Sequence, residues 1–176
     1  MNDSVVFTPM DAAGQPIEKG PGQSLPILNR WNPRPANLAR EMVRRHGRPQ
    51  EITDSCLVWR GVVPFSRIVV RVDEFVHEFP ETHLDCLEHV VPYPVPLEAV
   101  APLYEFSRAI VVDRSAQEIL ARCSSEEANI LHLNIAHYVI VERWDPAKAR
   151  EYLQEKLNEM KRGLVLAVTS RLVFSA

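Results

Sequence analysis

The sequence predicts a single α+β domain in which a mostly antiparallel sheet of about six strands is packed by three to four helices. Three observations support this fold class. The chain has 176 residues, an ordinary length for one domain. Short β-branched and aromatic segments recur between turn signals, as in antiparallel sheets. Two later segments carry clear helix starts. We expect residues 1–34 to form an extended arm and residues 35–176 to form the domain.

The arm is predicted because proline and glycine interrupt every helix or strand period within residues 14–26. A first helix follows, and its start is marked by Asn32, Pro33 and Pro35, since proline suits a first helical turn. Apolar residues then recur at helical spacing from Leu38 to His46. Gly47 and Pro49 end this helix.

A meander of strands is expected after the first helix. The segments with strand character cover residues 55–60, 67–72, 75–79 and 87–93. Residues 97–106 are then expected to form a short helix. A hairpin follows, with strands over residues 108–113 and 118–122 and a turn over residues 114–117.

Two helices and a strand are predicted for the last third of the chain. Ser124 and Glu127 match a capping box with Ser124 at the N-cap, and the helix continues to about Arg143. It is apolar nearly all round, which is typical of a central helix. Residues 131–135 also alternate like a strand, but the cap favours a helix.

The second of these helices begins at Asp145 and Pro146, an N-cap residue followed by proline, and ends near Gly163. Residues 164–174 are apolar and then alternating, so we expect a final strand there.

Several function classes are excluded by missing motifs. The chain has six glycines and none of the glycine-rich nucleotide loops, nucleophile elbows or zinc-protease motifs. Its three cysteines stand alone in different segments, which suits a reducing compartment, and we expect a cytoplasmic protein. The sequence does not decide whether the protein is an enzyme, and it names no cofactor.

Nucleic acid and membranes are not expected as partners. The net charge is -3 with a pI of about 6.1, and aromatic residues do not interleave with basic ones. No apolar run reaches the length of about 18 residues that a membrane span needs.

The charges are instead sorted along the chain. From Arg30 to Arg71 there are nine arginines and three acidic residues, whereas residues 72–107 hold eight acidic residues and no lysine or arginine. Three interpretations are open. The two blocks neutralise each other within the fold, or the basic block binds an anionic ligand or acidic partner, or the basic face of one copy binds the acidic face of another. Within the basic block, an exposed helical stripe is formed by Arg40, Arg44 and Arg48.

A histidine-rich segment spans residues 77–89, and its candidate metal ligands are His77, His83, Asp85 and His89. In an extended chain His83 and Asp85 share a face, and in a helix Asp85 and His89 would do so. Histidine and carboxylate together indicate a metal site or an acid–base site. The alternative is a polar turn and strand face.

Polar residues also interrupt the apolar helix, namely Asn129, His132, Asn134 and His137. Buried amides and imidazoles need hydrogen-bond partners. Asn134 and His137 are therefore candidate binding residues of a pocket between helix and sheet. The alternative is that these residues are satisfied polar groups that fix the packing of the core.

Residues 37–43, 77–85 and 121–127 resemble segments of uncharacterised proteobacterial proteins, as do the positions Asn129, Leu133, Asn134, Ala136 and His137. The resemblance implies a small bacterial protein. No activity is assigned to those proteins, so the resemblance adds no catalytic residue.

Two functional hypotheses follow. The first is a non-enzymatic bacterial binding or interaction module that uses its basic stripe to bind a protein partner, a second copy of itself or a small anionic ligand. The second is a small-molecule-binding protein or enzyme with a histidine and carboxylate site around residues 77–89.

Overall fold

The computed structural model of the protein describes residues 25–175. Most of the predicted arm therefore lies outside the described residues. Its final part contains a 3-10 helix over Pro26–Arg30. Leu25, Leu28 and Trp31 are buried, so this part of the expected arm packs into the core of the domain.

In the described part of the chain, six strands form one sheet, and every neighbouring pair is antiparallel, which confirms the predicted fold class. The strands are β1 (Glu51–Ile52), β2 (Cys56–Arg60), β3 (Arg67–His77), β4 (His83–Pro92), β5 (Ile110–Asp113) and β6 (Glu118–Cys123). Their order across the sheet is β1-β2-β3-β4-β6-β5. The two segments predicted over residues 67–79 form the single strand β3, because a bulge between Val70 and Phe75 shifts the register without ending the strand.

Within residues 25–175, the α-helices are α1 (Pro33–His46), α2 (Leu97–Phe106), α3 (Glu126–Val141), α4 (Pro146–Lys161) and α5 (Ala167–Ser170). The helical prediction for residues 131–135 is confirmed. The predicted cap was wrong by one residue, because the Ala128 N–H donates to the Ser125 hydroxyl at 3.1 Å. No helix of the described chain is long and apolar enough to cross a membrane.

The predicted C-terminal strand over residues 164–174 is wrong, because this segment packs on α3 and contains only the short helix α5. The Asn134 amide donates to the carbonyls of Val168 and Arg171, at 2.8 and 2.9 Å. Its carbonyl accepts from the Val173 N–H at 2.9 Å. Backbone groups that a strand would pair with a neighbour are thus satisfied by a helix side chain.

One face of the sheet carries a row of paired side chains that are at most 1% exposed, namely Trp59, Ile68, His89, Ala121 and Ile110. Trp59 Nε1 donates to the carbonyl of Gly47, directly after α1, at 2.9 Å. The Asn129 amide of α3 donates to His89 Nδ1, also at 2.9 Å. Helices α1 and α3 therefore both cover this face, and the core lies between them and the sheet.

Candidate metal centre

Four potential metal ligands meet at the edge of the sheet where β3 and β6 end and β4 begins. His77 is the last residue of β3 and lies directly opposite His83, the first residue of β4. Asp85 follows two residues later, so its side chain returns to the face of His83. Cys123 ends β6 and pairs with Leu87, which places it one diagonal step from Asp85.

The four donor atoms are close enough to share one ion. A nitrogen of each histidine, a carboxylate oxygen of Asp85 and the sulfur of Cys123 all lie within 4.8 Å of one another. A tetrahedral zinc ion with bonds of about 2.0 to 2.3 Å would separate its donors by about 3.3 to 3.8 Å. Shortening the longest donor–donor distances by about 1 Å would complete such a shell, and side-chain rotation can produce a movement of this size.

Two potential metal-ligating atoms face each other inside this group. His83 Nδ1 donates to the carbonyl of Glu81 at 2.7 Å, so Nε2 is the ring nitrogen left to bind a metal ion. His83 Nε2 lies 3.2 Å from Asp85 Oδ1, an oxygen that is buried and accepts no hydrogen bond from residues 25–175. A buried carboxylate oxygen without a donor is costly. A cation between these two atoms would satisfy both.

His77 and His132 make further contacts with Asp85 and Cys123, the two proposed ligands that are not histidines. His77 Nδ1 donates to Asp85 Oδ2 at 3.2 Å, which fixes the carboxylate. His132 of α3 donates from Nδ1 to the Ala128 carbonyl at 2.8 Å, and the same nitrogen lies 3.8 Å from Cys123 Sγ. Hydrogen bonds that orient a ligating carboxylate, such as that from His77, are a regular feature of metal sites.

Burial sets the protonation of the Cys123 and His132 side chains. It raises the pKa of the Cys123 thiol, and a bound metal would have to displace that proton. Burial also lowers the pKa of His132 to about 4, which outweighs the opposing hydrogen bond to Ala128. His132 is therefore a neutral ring at physiological pH.

His89, the fourth predicted ligand, lies outside this group. Its Nε2 donates to Glu126 Oε2 at 3.0 Å, and His46 Nε2 donates to the same oxygen at 2.5 Å. Burial lowers the pKa of His89. Burial also opposes ionisation of Glu126, but the hydrogen bonds from His46 and His89 outweigh it and hold the pKa of Glu126 well below its usual range. The three side chains of His46, His89 and Glu126 thus link α1, β4 and α3.

The two predicted binding residues of α3 are used within the fold. Asn134 holds the C-terminal segment through three backbone hydrogen bonds. His137 Nδ1 lies 2.9 Å from the hydroxyl of Tyr93, and its ring stacks on Phe174 with the centroids 4.8 Å apart. Both side chains therefore act as satisfied polar groups in the packing of α3.

The nine arginines of the basic segment divide into two sets. Six of them form ion pairs, namely Arg30, Arg34, Arg45, Arg60, Arg67 and Arg71. The pairs Arg34–Glu74 and Arg71–Glu88 join the basic block to the acidic block. Arg40, Arg44 and Arg48 are exposed and form no ion pair with residues 25–175. The three predicted residues are thus the uncompensated part of the basic segment. They do not all lie on one helix as predicted, because α1 ends at His46 and Arg48 follows it.

Sequence reasoning missed Cys123 as a member of the site. His83 and Asp85 are two residues apart, so the strand period alone could bring them together. Cys123 is separated from Asp85 by a helix and a hairpin, and only the pairing of β4 with β6 places it there. Its position at the end of a predicted hairpin strand was the one available signal.

Comparison of the chain with protein families, curated proteins and solved structures found no match. The functional interpretation therefore depends on the geometry of the chain's own residues.

Proposed function

We propose that this protein binds one divalent transition metal ion through His77, His83, Asp85 and Cys123. The observation that carries the proposal is the contact of His83 Nε2 with the buried Asp85 Oδ1, which accepts no hydrogen bond within the described part of the chain. Imidazole and thiolate ligands favour Zn²⁺ and related ions, whereas Mg²⁺ and Ca²⁺ prefer shells of oxygen. Zinc is the ion that this mixed set fits best.

The proposed ion has a structural role. Four protein donors fill a tetrahedral shell and leave no position for a reacting water. The ion would tie the ends of β3, β4 and β6 together, immediately before α3 begins. His83 is the most exposed member, with 26% of its side chain accessible, and it provides the entry route. The proposal includes a reducing compartment such as the cytoplasm, since Cys123 must stay unoxidised to bind.

Cobalt substitution tests the proposal directly. Titration of the protein with Co²⁺ is expected to reach one ion per chain, with the visible absorption of tetrahedral cobalt and a near-ultraviolet charge-transfer band from the thiolate. Cys123→Ser is expected to abolish the charge-transfer band and weaken binding at least about tenfold.

Cys56→Ser is the matched control, because Cys56 is half-buried on β2 and does not belong to the site. It should leave the spectrum unchanged. Circular dichroism of both variants checks that each is folded. A charge-transfer band that survives in folded Cys123→Ser would contradict the proposal.

A second candidate function is the binding of an acidic partner by Arg40, Arg44 and Arg48. The observation that favours it is that these exposed guanidinium groups have no carboxylate partner among residues 25–175. Cations without partners are available for an acidic surface and give salt-dependent attraction. A second copy of the chain, with its acidic segment, is one such partner.

Replacement of all three arginines by glutamine is expected to weaken binding of labelled poly-L-glutamate about tenfold at low salt, because surface ion pairs contribute about 0.5 kcal/mol each. Fluorescence anisotropy at low and high salt measures the effect. The control triple variant replaces Arg30, Arg60 and Arg108, which are exposed but paired with carboxylates, and changes the net charge equally. Equal losses in both triple variants would show that only net charge matters and would rule out a specific stripe.

A further inference from the structure

A cleft of about 340 Å³ lies between α1 and the end of the sheet that carries the proposed metal ligands. Its polar wall is formed by Arg34, Asn37, Arg44 and Ser124. Leu38 and Leu84 give it an apolar part. The volume is at the lower end of the range for small-molecule sites, and the mixture of apolar surface with a few polar groups is typical of them.

The charges of the cleft favour an anion. Two guanidinium groups line it, against the single carboxylate of Glu41. That carboxylate is already held by Arg45 at 2.6 Å. Arg34 lies 3.2 Å from Glu74, whereas Arg44 has no ion-pair partner in the described part of the chain. Arg44 can therefore bind a phosphate or carboxylate group without giving up an existing partner.

The strand side of the cleft is made by the chain neighbours of the metal ligands. Leu84 lies between His83 and Asp85, Cys86 follows Asp85, and Ser124 follows Cys123. An ion that fixed the ligands would therefore also fix the backbone that forms this wall. It would add positive charge behind the wall as well.

We propose that this cleft binds a small organic anion, an oxyanion group on an apolar body, and that metal bound at the four-residue centre strengthens this binding. The second half of the proposal rests on the proposed metal-binding function. Coupling is expected because a ligand that orders a wall lowers the entropic cost for the next ligand. By linkage, the anion must strengthen metal binding by the same factor.

Phenyl phosphate is a suitable probe, because it joins a phosphate to a small apolar ring, and phenol is its uncharged control. Isothermal titration is carried out on metal-free protein and on protein loaded with one equivalent of Zn²⁺. We expect phenyl phosphate to bind in both states and at least about fivefold more tightly to the zinc form, the lower end of common coupling. Phenol should not bind measurably.

Location is tested with two double variants of equal charge change. Arg34→Gln with Arg44→Gln should abolish phenyl phosphate binding, whereas Arg60→Gln with Arg108→Gln, which are exposed and lie outside the cleft, should preserve it. In NMR spectra of the wild-type protein, the amides of Leu84, Cys86 and Ser124 should shift on binding.

Each contrary outcome has a distinct meaning. Absence of binding to both forms, or equal losses in the two double variants, would overturn the anion site. Equal affinity of the zinc-loaded and metal-free protein would overturn the coupling. If zinc itself did not bind, the proposed function would fail, while the titration of metal-free protein would still decide whether the cleft binds the anion.

Discussion

Replacement of Glu126 by alanine is expected to lower the free energy of unfolding by about 3 kcal/mol, because it breaks a buried charged network that joins three elements. Glu126 Oε2 accepts hydrogen bonds from His46 Nε2 and from His89 Nε2, at 2.5 and 3.0 Å. The His89 side chain is fully buried, so its N–H would lose its acceptor without gaining water. Urea unfolding should show the loss, and the melting temperature should fall by about 6–12 °C.

Glu127→Ala is the control for this prediction. Glu127 is adjacent to Glu126 on α3, but 36% of its side chain is exposed and it pairs with Arg45 at the surface. A surface pair of this kind contributes up to about 1 kcal/mol. Similar losses in the two variants would mean that the Glu126 network does not hold α1, β4 and α3 together.

The same variant has a second readout in the pH dependence of stability. The folded-state pKa of Glu126 lies below its usual value, so its contribution is complete at neutral pH and is lost as the pH falls below about 4.5. The pKa of His89 is also lowered, so the folded state resists protonation of this ring. The free energy of unfolding therefore falls as the pH drops below about 6.5. Each group gives a slope of up to about 1.4 kcal/mol per pH unit. Glu126→Ala should remove the component below pH 4.5.

Zinc at a hundredfold excess over its dissociation constant is expected to raise the free energy of unfolding by about 2.7 kcal/mol. The melting temperature of the wild-type protein should then rise by about 5–10 °C in a thermal-shift assay. Mg²⁺ and Ca²⁺ at the same concentration should have no such effect, since two imidazoles and a thiolate suit neither ion.

Asp85→Asn should remove the zinc response without destabilising the metal-free protein by more than about 1 kcal/mol. The reason is that the amide removes the buried negative charge of the Asp85 carboxylate. One oxygen of that carboxylate accepts no hydrogen bond from the described residues. Asp54→Asn is the control, because the Asp54 side chain is exposed and pairs with Arg30 at the surface. A zinc-dependent stabilisation that persists in Asp85→Asn would contradict the proposed ligand set.

Local sequence patterns predicted the elements whose stability is local. The hairpin of β5 and β6 was predicted from two short strands and a turn, and it is present with Ile110 opposite Ala121. Helix α3 was predicted from its cap, although part of it alternates like a strand. The C-terminal segment was mispredicted because Asn134, whose side chain binds its backbone, lies 34 to 39 residues upstream on α3.

By itself, the sequence determined the fold class and the order of the main helices and strands from α1 to α4, because these depend on hydrogen bonds and side-chain periods that act over a few residues. For residues 83–89 it left two geometries open, a strand in which His83 and Asp85 share a face and a helix in which Asp85 and His89 do so. Only the tertiary structure decided which of the candidate residues meet. The pairing of β4 with β6 brought Cys123 to Asp85, and the approach of α1 and α3 to one face gave His89 a carboxylate partner of its own. Contacts of this kind depend on non-local strand order and on competition between partners, which no local pattern encodes.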